Sequence, residues 1–89
     1  MKIDFSYKWY LQTCRENGLD ANNELAKFHL NKAKEQSRRM KYFMDALERY
    51  KDDEKAAPRI KKQIKYHDNK RVTSMLDALK SAEGKGLDD

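Results

Sequence analysis

The chain has 89 residues, a length that allows one domain with a small core. Charged residues make up 39% and hydrophobic residues 38%, and 20 basic against 15 acidic side chains leave a net charge of +5. Aromatic residues account for 10%, and a nearly balanced charge with this aromatic content is unlike a disordered chain. We therefore expect a folded protein.

Several classes of protein are excluded by the composition. No apolar run approaches the roughly 18 residues that a membrane span needs, and the N-terminus lacks the apolar stretch of a signal peptide. Three glycines and one proline are too few for the turns of a sheet protein. A single cysteine, Cys14, cannot form an internal disulfide and fits a reducing compartment. We expect a protein without a membrane anchor, in the cytoplasm of a bacterium or of a virus-infected cell.

The first predicted helix runs from about Asp4 to Asn17. Asp4 is its expected N-cap, and Gly18 followed by Leu19 is typical of a helix end with a left-handed glycine. The helical spacing of its apolar residues predicts one buried face. That face carries Tyr7, Tyr10, Leu11 and Cys14.

The second predicted helix is about 30 residues and about 45 Å long. Asp20 or Asn22 is its expected cap, and neither proline nor glycine occurs again before Pro58. Its apolar and small residues repeat with heptad spacing. We expect this seam to pack on a helix of the same chain or on a second copy in a homodimer. It consists of Ala26, Leu30, Ala33, Ser37, Met40, Met44 and Leu47.

A third helix is predicted to follow the turn at Ala56, Ala57 and Pro58. Its apolar stripe, which begins at Ile60 and Ile64, shifts around the helix after His67. Asp68 and Asn69 are good capping residues at that shift, so we expect a break there and a separate helix over 70–82. The sequence thus predicts an all-α domain over residues 1–82, with a flexible tail over 83–89. Its fold would be a small helical bundle or hairpin of three to four helices around one long central helix.

Basic residues concentrate in two stretches, 32–41 and 59–71, which together carry eleven basic residues and two acidic ones. An antiparallel hairpin around Pro58 would bring these stretches together into a patch that attracts phosphate or carboxylate groups. The alternative is that they form ordinary solvated helix faces. The candidate binding residues are Lys27, Lys34, Arg38, Lys41, Arg59, Lys61, Lys62, Lys65, Lys70 and Arg71.

Three aromatic residues directly follow a lysine: Trp9, Tyr42 and Tyr66. If exposed, such rings would stack on bases or anchor a protein partner. The alternative is that they belong to the core or cover its edges.

Catalytic groups are sparse. His29 and His67 lack the spacing of a metal site, and no glycine-rich phosphate loop occurs. Cys14 lies beside Arg15, yet a lone helical cysteine is more typical of a packed apolar position. We therefore expect no enzyme, no metal and no cofactor.

Two functions fit these features. The first is a non-catalytic regulatory protein whose basic surface acts on nucleic acid or on the machinery that handles it. The second is a protein-interaction module, such as an inhibitor or adaptor of the size that phages encode, which docks on an acidic surface of a larger partner.

Overall fold

The computed structural model describes residues 3–84 and contains three helices. They are α1 (Tyr7–Asn17), α2 (Glu24–Tyr50) and α3 (Ala56–Ala82). Within those residues the chain forms no strand. The predicted all-α architecture with a long central helix is confirmed.

Helix α1 begins at Tyr7, three residues after the predicted start at Asp4, because Ser6 and not Asp4 is its N-cap. The Trp9 N–H donates to Ser6 Oγ at 3.1 Å, while the Asp4 carboxylate accepts from the Ser6 N–H. Hydrogen bonds from Ser6 lower the pKa of Asp4. The predicted end of the helix is confirmed, since Gly18 adopts a left-handed conformation and its N–H donates to the Cys14 carbonyl.

Helix α2 is capped by Asn23 instead of the predicted Asp20 or Asn22. The Asn23 side-chain oxygen accepts from the N–H groups of Leu25 and Ala26. Asp20 serves the preceding turn, where its carboxylate accepts from the Asn22 N–H. Asp20, Asn22 and Asn23 are all good capping residues. Their types alone therefore do not show which of them caps the helix.

The hairpin turn precedes Ala56, where α3 begins. The Asp53 carboxylate accepts from the N–H groups of Lys55 and Ala56, and these two hydrogen bonds lower the pKa of Asp53. Pro58 lies in the first turn of α3, where its missing N–H costs nothing.

The predicted break at Asp68 and Asn69 is wrong, because α3 is one continuous helix of 27 residues. Asp68 accepts hydrogen bonds from the guanidinium of Arg71 one turn later and caps no helix. The apolar stripe widens after His67 because this half of α3 packs on two helices. Ala78 and Met75 are buried, and Leu79 packs against the cluster that α1 completes.

The core lies at one end of the hairpin, where α1 covers α2 and α3. It consists of Trp9, Tyr10, Cys14, Ala26, Ala33, Met75, Ala78 and Ala82. The other end has only two helices. The shape is accordingly elongated, at 48 × 27 × 16 Å. Its radius of gyration is 15.6 Å, against about 12 Å for a compact domain of this size.

The predicted seam of α2 is internal in part: two of its seven residues are buried, while Leu30, Met40 and Leu47 are half-buried. Ala26 and Ala33 are buried, whereas Ser37 is exposed and 53% of Met44 is exposed. A straight helix drifts about 20° per heptad, so the residues that face α3 change along its length. Gln36 and Phe43, each one residue before a predicted seam position, contact His67 instead.

None of the helices in residues 3–84 combines the length and the apolar character that crossing a membrane requires.

Candidate basic interface

The two basic stretches lie on helices that run antiparallel, since α2 packs along α3 beyond a tight turn. The register is set by His67, whose Nδ1 donates to Gln36 Oε1 at 2.6 Å. The His67 ring also stacks on Phe43 with centroids 5.6 Å apart. Residue 36 of α2 therefore lies level with residue 67 of α3, and this pairing gives the height of every other position.

Five of the predicted binding residues share one face of the hairpin. Lys27 and Lys34 line a groove beside α1, and Lys41 follows Lys34 by seven residues, almost two full turns. On α3, Met75 and Leu79 pack in the cluster that α1 completes. Lys61 and Lys65 lie fourteen residues, almost four turns, before Met75 and Leu79 respectively, and therefore on the same side of the helix. We call this side the basic face, formed by Lys27, Lys34, Lys41, Lys61 and Lys65.

The lysines of the basic face lie on the same side of the hairpin and also at similar positions along its long axis. From the pairing of Gln36 with His67, Lys41 lies level with about residue 62, and Lys34 to Lys61 span about 12 Å along the axis. Packed helices lie about 8–10 Å apart, so these lysines lie near one another on one side of the hairpin. All five are exposed, and within residues 3–84 none forms a salt bridge.

The other predicted basic residues point elsewhere. Arg38 lies at the outer edge of α2 and pairs with Glu35 at 3.5 Å, and Lys62 lies on the outer side of α3. Lys70 lines a second groove on the opposite side together with Lys32 and Asp77. Arg59 is fourteen residues before Thr73 of that groove and so lies on the same opposite side.

Arg71 points inward and is only 20% exposed. Its guanidinium donates to the Asp68 carboxylate and, at 2.8 Å, to the carbonyl of Phe5. Phe5 has a left-handed backbone with φ of 56°, which is costly for a residue with a side chain. Arg71 thus joins the segment before α1 to the hairpin.

The three aromatic residues do not reinforce the basic face. Trp9 is 8% exposed and belongs to the core, in edge-to-face contact with Phe5, so it is not available as an anchor. Tyr66 is 53% exposed, but its ring lies under Lys70 Nζ at 5.4 Å. Tyr42 is 64% exposed. It lies seven residues, almost two turns, after Glu35, which lines the groove on the opposite side, so Tyr42 lies on that side as well. The exposed rings therefore lie away from the basic face.

A groove of about 600 Å³ adjoins the basic face where α1 begins. We call it the α1 groove. Its apolar lining is Phe5, Leu30, Ala33 and Met75, and Lys27, Lys34 and Arg71 supply its charged lining. Composition and periodicity gave no sign of this groove, because its walls come from three separate parts of the chain.

Chemically reactive side chains are not assembled in the described residues. Burial raises the pKa of the Cys14 thiol, which keeps it protonated and unreactive near neutral pH. The same burial raises the pKa of Tyr10, whose hydroxyl donates to the Ala21 carbonyl. Residues 3–84 hold no group of three or more histidine, cysteine or carboxylate side chains that could bind a metal ion.

Comparison with protein-family models, with curated proteins and with solved structures finds no match. The function must therefore be argued from the basic face and the α1 groove themselves.

Proposed function

We propose that this chain is a non-catalytic binding protein whose basic face contacts the phosphate backbone of nucleic acid. The observation that carries the proposal is the convergence of Lys34, Lys41, Lys61 and Lys65 from two helices onto one side of the hairpin. A duplex carries one charge per about 1.7 Å of its axis, so a patch about 12 Å long faces several phosphates at once.

The mode of binding is electrostatic. The carboxylate of Asp68 on α3 is already bound by Arg71, whereas the exposed Asp45, one turn after Lys41, limits the basic face at that end of α2. Tyr42 and Tyr66 lie away from the basic face, so neither ring is placed to stack on single-stranded bases there. We therefore expect binding with little sequence preference and a preference for duplexes.

The first prediction concerns Lys61→Glu combined with Lys65→Glu. Reversing two charges on the basic face should weaken the binding of a short fluorescein-labelled duplex by at least about tenfold, measured by anisotropy at about 50 mM salt. For the unmodified protein, about four phosphate contacts imply a slope near −4 in a plot of log K against log salt.

The matched control is Arg59→Glu combined with Lys70→Glu, which makes the same change of charge on the opposite side of α3. It should weaken binding by less than about threefold. Equal losses in the two double variants would contradict the assignment to one face. Undetectable binding of DNA and RNA duplexes at about 50 mM salt would reject the proposal. The remaining function would then be the protein-interaction module docking on an acidic surface.

A further inference from the structure

The hairpin has room for a third helix that α1 only partly fills. Helix α2 has 27 residues and α1 has 11, which correspond to about 40 Å and about 16 Å. α1 covers the side of the hairpin at the end where Ala26 and Ala82 are buried. Beyond its first residues, Ser6 and Tyr7, the same side is open and forms the α1 groove.

The floor of the groove is apolar. Ala33 and Met75 are each 3% exposed, and Leu30 and Phe5 are partly exposed at its sides. Tyr7, at the start of α1, adds an exposed ring to the wall. Apolar surface is unfavourable in contact with water, so an apolar side chain that inserts into the groove is stabilised by its burial.

The edge of the groove is positive. Its eleven lining residues include three cations and no carboxylate. Arg71 already binds Asp68 and the Phe5 carbonyl, whereas Lys27 and Lys34 have no salt bridge within the described part of the chain. Any occupant that pairs with them must carry negative charge beside an apolar surface.

We propose that the α1 groove binds one or two turns of an acidic amphipathic helix from a partner protein. The helix would continue the line of α1, with its apolar side chains on Leu30, Ala33 and Met75 and its carboxylates at Lys27 and Lys34. This is the helix-in-groove mode, in which residues on one helical face act as anchors. A nucleic-acid backbone matches the lysines but has no group for the apolar floor, so the groove and the basic face differ in ligand.

The test uses a fluorescein-labelled synthetic peptide of twelve residues, with leucines at i, i+3 and i+7 and glutamates beside them. We expect the intact 89-residue protein to bind it with a dissociation constant of about 10–100 µM by anisotropy. Lys27→Glu combined with Lys34→Glu should weaken binding at least about tenfold. Both lysines are exposed, so helix content measured by circular dichroism should stay unchanged.

Two further arms make the result specific. Lys61→Glu combined with Lys65→Glu should change peptide affinity by less than about threefold, although the same variant should weaken duplex binding at least about tenfold. A peptide with serine for each leucine should bind at least about tenfold more weakly. In ¹H–¹⁵N spectra, the peptide should shift the amides of Leu30, Lys34 and Met75 more than those of Lys61 and Lys65.

Other outcomes would overturn the proposal. One is no change in the anisotropy of the labelled peptide up to about 1 mM protein. Another is equal affinity for the leucine and serine peptides, which would leave only charge attraction at the lysines. A third is that duplex DNA shifts the amides of Leu30 and Met75 at the apolar floor as strongly as the peptide does, which would make the groove part of the nucleic-acid surface. Lys27 and Lys34 belong to both the groove and the basic face, so the two proposals are distinguished by the leucines of the peptide and by Lys61 and Lys65. Loss of peptide binding with duplex binding retained rejects only this proposal, and the reverse result rejects only the proposal for the basic face.

Discussion

Arg71 shows how a basic residue in a basic stretch can belong to the structure. It is one of six basic residues in 59–71, but its side chain is 20% exposed. It joins α3 to a carbonyl 66 residues earlier in the chain, that of Phe5. Charge-assisted hydrogen bonds of this kind are stronger than neutral ones, and this one fixes a wall of the α1 groove.

We predict that Arg71→Met lowers the free energy of unfolding by about 2 kcal/mol. Methionine keeps most of the apolar length of the side chain but removes the donors to Asp68 and Phe5. Urea unfolding followed by circular dichroism at pH 7 measures the change. The matched control is Lys70→Met, on an exposed neighbour, which should stay within about 0.5 kcal/mol. Similar losses in both variants would show that Arg71 does not hold the N-terminal segment.

At the scale of elements, α3 shows why periodicity located the helices but misplaced a boundary. The shift of the apolar stripe after His67 is real, and its cause is a second neighbour, α1, whose packing buries Met75 and places Leu79 against the core. Sequence spacing alone cannot distinguish a helix with two neighbours from two helices with one neighbour each. Capping residues at Asp68 and Asn69 then made the break the simpler interpretation.

The sequence pattern also could not show which basic residues lie on the same side of the hairpin. Their presence in two stretches was visible in the sequence, and the antiparallel hairpin expected around Pro58 is present. Lys65 and Lys70 stand in one stretch, yet five residues correspond to about 140° around a helix, which puts them on opposite sides. Which side matters is decided by α1 and by the pairing of Gln36 with His67, and neither follows from local pattern.

The continuity of α3 predicts the sign of a stability change. Asn69 is exposed in mid-helix, where alanine has the higher helix propensity, so Asn69→Ala should stabilise the protein by about 0.5 kcal/mol. If Asn69 capped a separate helix, the same substitution would destabilise it by about 1 kcal/mol. Asn23→Ala, at the cap of α2, is the matched control and should cost about 1 kcal/mol. Thermal or urea unfolding of the two variants distinguishes these cases by sign.

For the whole molecule, the uneven distribution of the core predicts uneven protection of the backbone. Three helices meet where Ala33, Met75 and Ala78 are buried, whereas only two meet around Phe43 and Ile60. Local opening follows the number of buried apolar contacts, so amides of the first group should exchange hydrogen more slowly than those of the second. Uniform protection along α2 and α3 would contradict this distribution.

Hydrogen exchange measured at about 50 µM and at about 500 µM protein tests whether the chain forms the homodimer that the α2 seam suggested. The seam residues Ala26 and Ala33 are buried within one chain, and the uncovered stretch beyond α1 is flanked by Lys41, Lys61 and Lys65. Two copies meeting on that stretch would bring like charges together, which opposes association. We therefore expect a monomer mass by light scattering at both concentrations in about 150 mM salt, with an unchanged exchange pattern. If the amides of Phe43 and Ile60 became protected as concentration rose, the uncovered stretch would be an interface between copies, and the lysines beside it would need acidic partners from the second chain.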